Sequence, residues 1–121
     1  MPTWDDVTDL ARRLPDAELG TAHEGSPAWY AGRHPFARYR EDDGREILQV
    51  WSGDMDLGAQ LAGRGDTFLR VDTFDHRVSV WAWLDRLGRR ELAELLVDSY
   101  RIRGGARRAG RVDESAYFDG T

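Results

Sequence analysis

The feature that most constrains this chain is a strand pattern followed at once by a helix pattern, over residues 78–103. The strand, VSVWAWL, alternates with period two. The following stretch spaces apolar residues three and four apart, as on one side of a helix. Each element carries one apolar surface, which we expect to be buried against the rest of the chain. One strand face would hold Val78, Val80, Ala82 and Leu84, the other Ser79, Trp81 and Trp83, and the helix stripe Leu92, Leu95, Leu96, Ser99 and Tyr100.

The rest of the chain predicts an α+β fold, an antiparallel sheet with helices packed on one face. A first helix carries a stripe that Pro15 should end at Leu14. Three strands, a short helix, two more strands and the long last helix give the order α-β-β-β-α-β-β-α. Residues 16–27 are expected to be a connector. The predicted strands are residues 28–31, 36–40, 46–51, 68–72 and 78–84.

A single domain is predicted for residues 1–105, because 121 residues lie within the usual size of one domain. Gly104 and Gly105 are typical of a helix end. Residues 106–121 show little periodicity and are predicted to form a mobile C-terminal tail. Tyr117 and Phe118 are the tail residues most suited to docking on the domain.

Composition excludes several classes of protein. The chain has no cysteine, which excludes a disulfide framework and a cysteine zinc site. No apolar run approaches the roughly 20 residues of a membrane span. The acidic start MPTWDD lacks the apolar region of a signal peptide. We expect a cytoplasmic protein, favoured as a monomer, with no membrane partner.

The charge is unevenly distributed along the chain. The net charge of −5 argues against indiscriminate phosphate binding. Residues 86–111, however, hold eight arginines against three acids, which leaves the remaining chain strongly acidic. Such asymmetry can orient a protein toward an anion or a nucleic acid, although it equally describes a helix whose surface is solvated by arginine.

No catalytic or metal signature is found. His23, His34 and His76 lie in separate predicted loops without metal-ligand spacing. No serine stands in a nucleophile-elbow context. We therefore expect no enzyme activity, no cofactor and no metal. Asp5, Asp6 and Asp9 could bind a cation weakly, but acids in a first helical turn also complement the helix dipole.

Several short segments occur together in a recognisable order. The chain opens with Trp4-Asp5-Asp6-Val7, and Ser99-Tyr100 stands near the end of the last helix. Between them lie the segments EGSPAW at residues 24–29, GRHPFAR at residues 32–38 and LDR at residues 84–86. In these segments the chain resembles the MmcQ/YjbR family of small bacterial proteins, over about residues 3–103.

The resemblance implies a fold similar to the bacterial frataxin CyaY, with a "double wing" arrangement, and a DNA-binding role. The strand and turn residues that could contact DNA phosphates in a chain of net negative charge are Arg33, His34, Arg38 and Arg40. Gln49 stands where family members often carry a lysine or arginine. Ser79 stands where many carry an aromatic residue.

The aromatic residues of the predicted strands suggest a different function. If helices cover only one face of the sheet, rings on the other face stay partly exposed and could stack on bases or bind a ligand. Cross-strand packing of aromatics on a half-buried sheet is the structural alternative. A ligand- or protein-binding surface without nucleic acid would use Trp29, Tyr39, Trp51, Trp81 and Trp83.

Overall fold

The computed structural model describes residues 2–119 except residue 75, with backbone only at residues 23 and 74. Residues 120 and 121, the end of the predicted tail, lie outside this range. Six strands and five helices are described. The helices are α1 (Trp4–Ala11), α2 (Leu57–Leu61), α3 (Arg89–Gly104), α4 (Ala106–Ala109) and α5 (Glu114–Phe118). The strands are β1 (Ala17–Thr21), β2 (Pro27–Ala31), β3 (His34–Asp42), β4 (Arg45–Ser52), β5 (Phe68–Phe74) and β6 (Arg77–Trp83).

The strands form one antiparallel sheet in the order β1-β2-β3-β4-β6-β5. The α+β class and the antiparallel sheet are therefore confirmed. The predicted element order lacked one strand, because β1 lies in the stretch that was expected to be a connector. β1 is an edge strand whose one large apolar residue, Leu19, is 57% exposed. Pairing with β2, rather than burial of side chains, defines it.

Turn chemistry sets the central hairpin. Asp43 and Gly44 both have positive φ, as a two-residue hairpin turn of this kind requires. Asp42 and Arg45 close the β3–β4 ladder on either side. Both strands extend further toward this turn than their predicted bounds of 36–40 and 46–51.

The core lies between the sheet and the helices α1 and α3. The predicted stripe of α1 is buried, although the helix ends at Ala11 rather than Leu14. In α3, Leu95 is only half-buried, whereas Ala93 and Val97 are buried. The buried side of α3 is therefore rotated slightly from the predicted stripe. The sheet contributes alternate residues to the same core: Leu48, Val50, Val78, Val80 and Ala82.

The segment predicted as a mobile tail contains two short helices, α4 and α5. Tyr117 is buried in the core, and its ring meets that of Phe118 edge to face at 5.1 Å. Burial raises the pKa of the Tyr117 hydroxyl. The expected docking of these aromatics is thus seen, while the mobility of the tail stays a prediction.

A buried serine joins α3 to the sheet. Continuing the β3–β4 register beyond Arg38 and Gln49 would place Phe36 opposite Trp51. The Ser99 hydroxyl lies between them instead: it donates to the Phe36 carbonyl at 2.5 Å and accepts from the Trp51 N–H at 3.0 Å. Phe36 is also the residue at which β3 shifts register against β2. Ser99 therefore satisfies backbone groups that this irregularity would otherwise leave buried and unpaired.

Replacing Ser99 with alanine should destabilise the fold, because it leaves a buried carbonyl and a buried N–H without partners. The expected loss is about 1–3 kcal/mol, measured by urea denaturation. Ser115→Ala, at an exposed site on α5, is the control and should stay within about 0.5 kcal/mol of the parent. An equally small change for Ser99→Ala would show that the bridge is not important for stability.

Candidate functional site

The two faces of the sheet differ in chemistry. Cross-strand partners share a face, so the register places Arg38, Gln49, Trp81 and Arg70 in one row across four strands. A second row holds Arg40, Ile47 and Trp83, and a third holds Trp51, Ser79 and Asp72. We call this side, away from α1 and α3, the open face.

Arginines lie over the indole rings of the open face. The guanidinium carbons of Arg40 and Arg70 lie 4.5 and 5.0 Å from the centroid of Trp81. That of Arg45 lies 3.9 Å from the centroid of Trp83. Such cation–π contacts hold long side chains in place on an aromatic support. The open face is therefore aromatic and rich in arginine. Two of these arginines are also ion-paired, Arg70 with Asp72 at 2.6 Å and Arg45 with Asp85 at 2.8 Å.

A polar pair beneath these groups fixes one arginine. The Gln49 amide donates to the Ser79 hydroxyl at 3.0 Å, and its carbonyl accepts from Arg40 Nε at 3.1 Å. Both side chains are buried although they belong to the open face. Gln49 and Ser79 thus form the support of Arg40. Burial, followed by the charges of Arg38 and Arg70, lowers the pKa of Arg40.

The four residues suggested for DNA occupy two neighbouring places. Arg38 and Arg40 project from β3 on the open face, and Arg38 Nε lies 3.5 Å from the Ser26 hydroxyl. Arg33 and His34 lie in the β2–β3 turn, where they line a cleft of about 450 Å³. His34 also lines a hollow of about 680 Å³ that contains Trp51 and Trp81. The structure therefore places all four along one side of the molecule.

The five aromatics suggested for ligand binding are divided between the two faces. Trp51, Trp81 and Trp83 belong to the open face. Trp29 is only 7% exposed and is part of the core. Tyr39 pairs with the core residue Leu48, on the helix side of the sheet, and Trp4 packs edge to face against it at 5.5 Å. Trp29 and Tyr39 therefore do not join a surface formed by the other three.

Tyr39 is tied to a neighbouring carboxylate. Its hydroxyl donates to Glu41 at 2.7 Å, and this bond raises the pKa of Tyr39 to about 12. The hydroxyl is thus held protonated, as a hydrogen-bond donor.

Sequence reasoning did not single out four further arginines of this side. Arg70 lies on the open face, and Arg77, Arg103 and Arg108 line the same cleft as Arg33. The excess of arginine in residues 86–111 pointed to two of them, Arg103 and Arg108. Their proximity to the β2–β3 turn depends on how α3 crosses the sheet, which the local pattern does not encode.

The aspartates of α1 bind arginine. Arg89 donates to Asp6 at 2.8 Å and to Asp9 at 2.5 Å, so it joins the start of α3 to α1. The hydrogen bond from Arg89 is the main cause that lowers the pKa of Asp9, against a smaller opposing effect of burial. These two carboxylates are therefore already neutralised by a guanidinium.

Within residues 2–119, leaving out residue 75 and the two side chains noted above, no three or more histidine, cysteine or acidic side chains converge as metal ligands. None of the helices in the same part of the chain has the length and apolar character needed to cross a bilayer. No protein-family model, curated protein or solved structure matches the chain.

Replacing Arg89 with glutamine should weaken folding in a pH-dependent way. A carboxyl whose pKa is lowered in the folded state adds stability above its unfolded-state pKa and loses it as the pH falls through the folded one. The usual pKa of Asp9 is 3.8. At neutral pH, the free energy of unfolding of the parent should therefore exceed that of the variant by about 1 kcal/mol. This difference should shrink as the pH falls below 3.8.

Urea denaturation at neutral and acid pH measures this difference. Arg107→Gln is the control, since Arg107 is exposed on α4 and belongs to none of the described ion pairs. If the loss of stability in Arg89→Gln is the same at acid pH as at neutral pH, Arg89 stabilises the fold by packing and not by its charge.

Proposed function

We propose that this protein is a non-enzymatic nucleic-acid-binding module of the MmcQ/YjbR type, with the CyaY-like arrangement that the resemblance implies. The open face would carry the interaction. Helices flanking an antiparallel sheet and packing on one side of it support the fold part of the proposal. The bacterial origin and the cytoplasmic location belong to the same proposal.

The observation that carries the proposal is the placement of arginines and indoles on one sheet face. Arg38 and Arg40 supply cations for phosphates, and Trp81 and Trp83 supply flat apolar rings. Arg70 lies beside them, paired with Asp72 at 2.6 Å. Stacking of a base on an aromatic side chain is worth about 1–3 kcal/mol. A combination of this kind binds both the backbone and the bases of a strand.

Single strands fit this surface better than a duplex. The aromatic rings stand on a sheet, and the bases of a duplex are stacked on one another and hidden from such rings. Unpaired bases can turn outward and stack on the protein. The charge of the whole chain, −5, opposes binding elsewhere, so the interaction should be local and sensitive to salt.

A small-ligand site without nucleic acid is the second candidate. The hollow of about 680 Å³ beside Trp51 and Trp81 is of the size that small molecules occupy, about 300–1,000 Å³. The guanidiniums of Arg103 and Arg70 lie over these two rings. This arrangement favours a planar anion over an apolar ligand or an apolar protein surface.

Single-stranded DNA should bind with an affinity that falls as salt increases, as measured by fluorescence polarisation of a labelled oligonucleotide. Each arginine–phosphate contact contributes about 0.7 to the magnitude of the log–log salt slope for single strands. The variant Arg38→Ala/Arg40→Ala should therefore flatten the slope by about 1.4. Trp81→Ala should weaken binding with little change in slope.

The control Arg12→Ala/Arg90→Ala removes the same charge from exposed sites on the helix side and should keep the parent slope. If neither single-stranded nor duplex DNA is bound at about 20 mM salt, where screening is weak, the nucleic-acid proposal is wrong. Small-ligand binding at the open face would then become the favoured function.

A further inference from the structure

A second group of arginines surrounds the cleft at the end of the sheet. The β2–β3 turn contributes Arg33 and His34, β6 contributes Arg77, and the end of α3 with the start of α4 contributes Arg103 and Arg108. The cleft measures about 450 Å³ and adjoins the hollow beside Trp51, since His34, Arg77 and Arg103 line both. The two spaces form one groove, which is basic at the cleft and partly aromatic in the hollow, where Asp72 pairs with Arg70.

The lining of the cleft is rich in arginine. Among the described residues, its lining contains four guanidiniums and one imidazole but no carboxylate. Arg103 donates through Nε to the Pro35 carbonyl at 2.9 Å and stacks on Trp51 at 4.5 Å, and it belongs to none of the ion pairs seen in that part of the chain. Burial and the nearby charge of Arg77 lower the pKa of Arg103.

Close packing brings Arg108 to the same cleft. Gly32 has a φ of +69°, and a Cβ there would lie 2.9 Å from an Arg108 guanidinium nitrogen. The absence of a side chain at Gly32 therefore lets the guanidinium lie against the turn. Asp16 is 3.8 Å from Arg108 but is already paired with Arg111 at 2.7 Å.

Neutralisation of the helix end does not account for this cluster. The C-terminus of a helix carries about half a negative charge, and α3 ends at this cleft. Arg108 donates to the Gly104 carbonyl at 3.2 Å, which satisfies that role. Arg33 comes from the β2–β3 turn and Arg77 from β6, so the helix end does not explain why these arginines lie here.

We infer that the cleft binds a phosphate monoester and that the adjoining hollow receives the planar organic group that the phosphate carries. Several guanidiniums suit a dianion, because each can bind two phosphate oxygens at once. The half-buried Trp81 ring lies where a planar group could stack beside the phosphate, while Trp51, 8% exposed beneath Arg103, forms the floor of the hollow. A nucleoside monophosphate has this chemistry, whether it is free or forms the phosphorylated end of a strand.

The phosphate cleft does not include Arg38 or Arg40, although the adjoining hollow shares Trp81 and Arg70 with the row of Arg38. Its test therefore uses mononucleotides and does not depend on oligonucleotide binding. Isothermal titration calorimetry with adenosine monophosphate and with adenosine, at constant ionic strength, measures the phosphate contribution. The monophosphate should bind at least about tenfold more tightly. Equal affinities, or no binding tighter than about 10 mM, would overturn the inference.

Variants assign the binding to the cleft. Arg33→Gln, at an exposed turn residue, and Arg33→Gln/Arg77→Gln should weaken monophosphate binding, the double variant by at least about tenfold. Arg12→Gln/Arg90→Gln should leave it unchanged, and circular dichroism melts verify folding. Unchanged binding by a folded double variant would overturn the inference, as would an equal loss in the control.

A last comparison identifies the source of the phosphate. Oligonucleotides with a 5′-phosphate and with a 5′-hydroxyl are compared in the same assay. Tighter binding of the phosphorylated strand supports the site as a receptor for strand ends. Preference for the free monophosphate, with no difference between the strands, supports it as a mononucleotide site. If neither phosphate is distinguished from its hydroxyl counterpart, the cleft does not bind phosphate monoesters.

Discussion

The insertion of the Ser99 hydroxyl between β3 and β4 is the constraint on which the functional side of the molecule depends. Without it, the irregularity at Phe36 would leave backbone groups buried and unpaired. With it, α3 is held against the sheet at the point where the two strands part. Tyr100 adds a second connection, donating to the Pro15 carbonyl at 2.5 Å. Arg103, one turn after Ser99, is thereby brought over the end of the sheet.

The sheet separates two kinds of chemistry by strand periodicity alone. Alternate residues of β4 and β6 enter the core, and the intervening ones form a face of indoles, amides and hydroxyls. Guanidinium groups cover much of the aromatic surface of that face. A cation on an indole shields the ring from water while still offering hydrogen-bond donors. Such a surface is suited to planar anions, which can contact both the rings and the donors.

Local patterns predicted much of the fold but less of the site. Period-two alternation correctly assigned the faces of β6, and both strands of the central hairpin, β3 and β4, were predicted. β1 was missed because pairing, rather than burial, defines an edge strand. The cleft was missed because Arg33 and Arg103 are far apart in sequence and meet only through the packing of α3.

NMR spectra of the tryptophan indole N–H groups during titration with a single-stranded oligonucleotide test the central claim, that the open face is the binding surface. The chain has five tryptophans: Trp51, Trp81 and Trp83 belong to the open face, while Trp4 and Trp29 pack on the helix side. The account predicts that the indole signals of Trp81 and Trp83 shift most and that those of Trp4 and Trp29 stay in place. Shifts confined to Trp4 and Trp29, or no shifts at all, would contradict it.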